Sequence, residues 1–177
     1  GVLTERLGYD PLLIGLCDLK NDTAANSVIS RFVIGCTERL AAGDGTRAAC
    51  EYALSLRSLA GAILEKRCVD PAWSEVLAWF SGSPDQTASL RELVKHGEVI
   101  RITGSGHDAR LAFRHDRVYK WLLTDAIIHA LRDGQLDESI LSEPFFADVI
   151  GAAIADASIA PETAERVSKP NRLTVSS

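Results

Sequence analysis

Apolar residues recur along most of this chain with the spacing of helices. Val28, Ile29, Phe32, Val33, Cys36 and Leu40 follow one another at steps that keep them on one face, predicting a helix from about residue 22 to 42. The Gly43-Asp44-Gly45 turn ends it. A second helix is predicted from about 46 to 67, with Tyr52, Leu56, Leu59 and Ile63 along one side, so the two form a helical hairpin. Four prolines, Pro11, Pro71, Pro84 and Pro144, each follow Asp, Ser or Glu and precede an apolar pattern. Proline lacks the amide that the first helical position would leave unbonded, so all four are expected to mark helix starts. Trp73, Val76, Leu77 and Phe80 define a short helix after Pro71, and Leu90, Leu93 and Val94 the inner face of the next, which Gly97 should end in a left-handed cap.

At Glu98 the period shifts from 3.6 to 2. Ile100 and Ile102 alternate with Arg101 and Thr103, a Gly-Ser-Gly-His-Asp turn follows, and Leu111 and Phe113 alternate with Arg110, Ala112 and Arg114. A two-stranded hairpin is predicted, and it needs helices against its apolar face. Further helices are expected from Asp116 to Gly134 and from Pro144 to about 157. The expected fold is mainly α: a helical lid-like segment (1–44), a winged helix with one β-hairpin wing (45–135), a C-terminal helical segment (136–159) and a linker or disordered tail (160–177).

Composition narrows the class. The chain has 177 residues, 46% hydrophobic and 24% charged, as soluble globular proteins do. The four cysteines have no C-x-x-C pair and no Cys/His cluster, which argues against zinc and for reduced, half-buried thiols in a cytoplasmic protein. A net charge of −5 disfavours a surface built wholly for nucleic acid or anionic lipid. The longest apolar stretch, Val149 to Ala155, is far short of the roughly 20 residues a membrane span requires. Methionine is absent, including at position 1, and the chain opens as if inside a helical region, so an internal piece of a longer polypeptide is expected.

Few side chains suggest chemistry. Arg101, Arg110 and Arg114 line the outer face of the hairpin, with Arg117 and Lys120 nearby, and make a candidate contact for phosphate of a nucleotide or nucleic acid. The helix before the wing carries Arg91, Lys95 and His96 but also Asp85 and Glu92, and lacks a dense base-reading face. His115 lies where the second strand turns into a helix, beside amides that favour an anion, although histidines also serve as ordinary hydrogen-bonding residues. Asp116 is expected to cap that helix. Asp125 and His129, one helical turn apart, read as a surface pair, the three tryptophans as core and His107 as exposed.

Two short motifs carry a resemblance. Leu111-Ala112-Phe113-Arg114-His115-Asp116-Arg117-Val118-Tyr119-Lys120-Trp121-Leu122-Leu123 resembles the Phe-x-His segment closing the winged-helix domain of NACHT and NB-ARC type signal-transducing NTPases. Leu7-Gly8-Tyr9-Asp10-Pro11-Leu12-Leu13-Ile14 is similar to the Gly/Asn-x-Pro-Leu-Leu segment that opens their lid domain. Two residues here separate Gly8 from Pro11 where the plant form has one, so Gly8 is not carried over. The resemblance implies that Pro11 packs near the adenine and that His115 reaches the β-phosphate of ADP.

It further implies a regulatory, non-catalytic fragment of a nucleotide-switched signalling ATPase. Its partner would be an adjacent P-loop NTPase domain of the same polypeptide, with ADP or ATP held there, and the parent could form oligomers. No G-x-x-x-x-G-K-[ST] loop occurs, so no catalytic residue, metal ligand or nucleotide held by this chain alone is expected. The competing reading is a winged-helix DNA-binding transcriptional regulator, for which the wing arginines would contact phosphates.

Overall fold

The computed structural model describes residues 25–155. Helix α1 (Ala25–Asp44) buries Val28, Ile29, Val33, Cys36 and Leu40, the stripe its spacing predicts. Gly45, at φ 65°, turns the chain into α2 (Ala49–Lys66). No oxygen-bearing side chain stands at the start of α2; instead the Glu51 carboxylate accepts the Ala48 N–H at 2.7 Å, satisfying one of the amides a helix start leaves open. Tyr52, Leu56, Leu59, Ala60 and Ile63 of α2 are wholly buried and form the centre of the core, against which α1 and the later helices pack. Arg67 ends α2 in the left-handed region at φ 53°. Its guanidinium reaches Glu143 at 3.4 Å and also bonds the Ser139 hydroxyl, tying the end of α2 to a much later segment.

Pro71 does not begin a helix. Its carbonyl accepts the Leu111 N–H at 3.0 Å, and the Trp73 N–H donates to Ala109 at 2.9 Å, so Ala72 pairs as a one-residue antiparallel bridge with Arg110. Helix α3 (Trp73–Trp79) starts only after that bridge, with the Glu75 carboxylate accepting the Ala72 N–H at 2.8 Å. Helix α4 (Pro84–His96) does begin on its proline, buries Leu90 and Leu93, and ends on Gly97 at φ 72°.

The hairpin follows. Strand β1 (Ile100–Thr103) pairs antiparallel with β2 (Arg110–Phe113) in the register Ile100↔Phe113 and Ile102↔Leu111, which sets the apolar side chains on one face. A short 3-10 turn at Gly106–Asp108 closes the tip. Gly104 is required there: at φ 75°, a Cβ would lie 2.6 Å from the Asp108 carbonyl oxygen. Helix, bridging residue, two helices and hairpin together make the arrangement of a winged helix. Helix α5 (Asp116–Arg132) packs along α2, burying Val118, Leu122, Ala126 and Leu131. Pro144 starts a 3-10 turn, Pro144–Phe146, rather than an α-helix, and α6 (Ala147–Ala155) follows it against α5.

Trp73, Trp79 and Trp121 pack half-buried against the core, as their spacing predicts. Of the thiols expected to be half-buried, Cys68 is so, Cys36 is buried and Cys50 is exposed; Cys17 lies outside the described residues. No helix among the described residues is long and apolar enough to cross a membrane.

Candidate functional site

Every candidate residue within the described part lies on the wing or at its foot; Pro11 lies outside the described residues. Cross-strand pairing of Arg101 with Ala112 and of Thr103 with Arg110 puts both arginines on the outer face, and alternation along the strand keeps Arg114 there. All three are exposed, but they are differently engaged. Arg110 donates to the Asp70 carbonyl at 2.5 Å and its carboxylate at 3.2 Å, which fastens the wing to the chain before α3. Arg114 donates to the Gly97 carbonyl at 3.3 Å. Arg101 projects from the middle of the face. Lys120 is turned toward Asp116 at 3.4 Å and Asp148 at 3.9 Å.

His115 occupies the residue before α5, in extended conformation at φ −133° and ψ 128°, and its carbonyl accepts the Tyr119 N–H at 3.1 Å. It therefore takes the capping position expected of Asp116, which is the first helical residue and spends its carboxylate on Lys120. The reason is conformational: β2 ends at Phe113, but the Arg114 N–H still donates to the Val99 carbonyl and the His115 backbone stays extended, so the chain turns helical only after His115. The imidazole is half-buried and packs at right angles to the Phe32 ring of α1, with centroids 5.9 Å apart and planes at 79°. Phe113 stacks on Tyr119 at 4.3 Å on the adjoining turn, and burial pushes the Tyr119 phenol up to about 12. An imidazole fixed on one edge by an aromatic ring, beside the open amides of a 17-residue helix, has the chemistry to donate to an anionic oxygen.

The sequence did not reveal a polar cluster one helical turn further along α1. The Glu98 Oε2 accepts both the Cys36 thiol at 2.9 Å and the Arg39 Nη2 at 2.6 Å, while Arg39 also lies 3.3 Å from the Cys36 sulfur. His96 Nε2 is 3.9 Å from the other carboxylate oxygen. Burial, then the Glu98 carboxylate, pushes the thiol up to about 12; the hydrogen bonds from Cys36 and Arg39 hold the Glu98 carboxyl below its usual range. Such a thiol is protonated and inert as a nucleophile near neutral pH. Cys36 and Arg39 are visibly i and i+3 on one helix, but Glu98 is 62 residues from Cys36, and nothing local signals the pairing.

Asp125 accepts from Arg57 at 2.9 Å, and the His129 ring faces the Asp125 carbonyl at 2.8 Å. His107 is exposed at the wing tip. An open groove of about 580 Å³ lies among α2, α3, α4, α5 and the segment after α5, lined by Ala62, Trp79, Gln86, Ala130 and Leu136 among others and by no wing residue. No group of three metal-ligating side chains occurs among the described residues. Comparison with protein-family models, with curated proteins and with solved structures gives no match for this chain.

Proposed function

We propose that this chain is the lid and winged-helix part of a nucleotide-switched signalling ATPase, a non-catalytic sensor of ADP or ATP bound by a P-loop domain of the same polypeptide. In this reading His115 donates to the β-phosphate of ADP and holds the resting arrangement, while Pro11 packs near the adenine. Exchange for ATP changes the fit and shifts the equilibrium between two arrangements. The observation that carries the reading is the setting of His115: half-buried on Phe32, at the end of β2 and the start of α5. That setting combines a hydrogen-bond donor with the positive end of a helix, as recognition of a phosphate oxygen asks.

The test is nucleotide retention by the full-length parent protein. A hydrogen bond to a charged group contributes about 1.5–3 kcal/mol, so His115→Ala should weaken ADP retention roughly 10- to 100-fold without unfolding the winged helix. Unchanged co-purification of ADP with the variant would refute the reading. A DNA-binding regulator would instead bind duplex DNA in a steeply salt-dependent way through Arg101, Arg110 and Arg114. Two of those arginines are already bonded within the chain, and Lys95 of α4 lies 3.8 Å from Glu92, so the charge pattern does not favour that alternative.

A further inference from the structure

We infer that Glu98 is a positioning residue for His115, acting through α1. Pairing of the wing continues past Ile100↔Phe113, because the Arg114 N–H donates to the Val99 carbonyl at 2.9 Å. Glu98 and His115 are the next residues on either side, the two points at which the chain leaves the sheet. One stripe of α1 holds both. Phe32 meets the His115 ring, and Cys36 and Arg39, at i+4 and i+7 from Phe32, meet the Glu98 carboxylate.

The grip on Glu98 is close. Cys36 is 1% exposed and donates from within the core, and Val99 and Ile100 beside Glu98 are buried at 2% and 0%. Gly35 leaves room for the guanidinium to fold back along α1; a Cβ there would lie 3.2 Å from Arg39 Nη1. With the buried stripe that seats α1 on the core, these two contacts set how the helix meets the foot of the wing. The buried stripe of α1 holds the helix on the core, so loss of the Glu98 contact removes one of the two restraints at the foot of the wing and lets Phe32 shift slightly against the imidazole.

This inference deepens the proposed function, and its relevance to nucleotide rests on that reading, but the coupling can be measured on the 177-residue chain without nucleotide. The probe is the His115 Hε1 proton resonance, displaced by the ring current of Phe32. Glu98→Ala should shift it in the same direction as Phe32→Leu does, and should add little in the Phe32→Leu background. Glu98→Gln, which keeps an acceptor for Cys36 and Arg39, should recover part of the wild-type position. His107 and His129 should not move. An unmoved His115 resonance in a folded Glu98→Ala chain, or shifts that add independently in the double variant, would overturn the inference.

Should Glu98→Ala unfold the protein, Arg39→Ala supplies the same test, since that side chain is 56% exposed. A shift of His115 in this variant supports the coupling and its absence refutes it. Should the coupling be found while His115→Ala leaves ADP retention intact, the nucleotide reading falls and the positioning role stands.

Discussion

The outer face of the wing and its foot are a few residues apart, yet their charged groups are held by different means. On the outer face, Arg110 pairs with Asp70 at the surface, both side chains more than half exposed, and Arg101 stands opposite Ala112 with Arg110 and Arg114 diagonally across the hairpin. At the foot, the Glu98 carboxylate is held by a thiol that is itself buried and by an arginine braced along α1. Exposed ion pairs contribute about 0–1 kcal/mol because water screens them and their side chains lose entropy. The Arg39–Glu98 pair is itself partly exposed, so what distinguishes the foot is the Cys36 bond, whose donor is fixed within the packed core. The outer face is therefore held by contacts that water weakens, and the foot by one contact rooted in the core.

Substitutions sharpen this contrast in order of effect. Ile100→Ala removes a wholly buried side chain beneath the hairpin and should cost about 2–5 kcal/mol, read as a lower denaturant midpoint. A cost below about 1 kcal/mol would mean that the wing is not packed on the helices. Glu98→Ala should cost about 1 kcal/mol, a modest figure because the carboxylate is 39% exposed.

Glu98 also carries a pH signature. Its carboxyl is held below the ordinary range in the folded chain, so its contribution is present above the unfolded-state pKa and is lost as pH falls through the folded-state value. Wild-type stability should therefore fall more steeply than that of Glu98→Gln in the acid limb of a denaturation series; parallel curves would contradict it. Arg110→Ala should cost about 0.5 kcal/mol, and added salt should shrink the difference from wild type. In alkylation at pH 8, Cys50 should react and Cys36 should not, since the latter is buried and pushed up to about 12. Rapid modification of Cys36 in the folded protein would show that the contact at Glu98 is not maintained.

Local features were legible wherever a local cause sufficed. The buried stripe of α1, the left-handed cap at Gly97, the start of α4 at Pro84 and the alternation of the wing all follow from neighbours within a few residues. Errors arose where a distant segment decided. Pro71 has the local look of a helix start, but its carbonyl is taken by Leu111, and the helix waits two residues. His115 displaces Asp116 from the cap because the Arg114 bond to Val99 keeps the chain extended through His115. The candidate site was legible in the same measure. The imidazole at a strand-to-helix junction could be read from residues 111–122, whereas its packing on Phe32 and the clasp at Glu98 depend on where α1 lies.

The single bridge at Ala72 gives β2 a bonded neighbour on both edges, β1 on one and the chain entering α3 on the other. A hairpin paired along only one side of β2 would leave Ala109 and Leu111, next to the turn, without these bonds. Fastened on both, that end of β2 can move away from α3 only by breaking the Leu111–Pro71 and Trp73–Ala109 bonds.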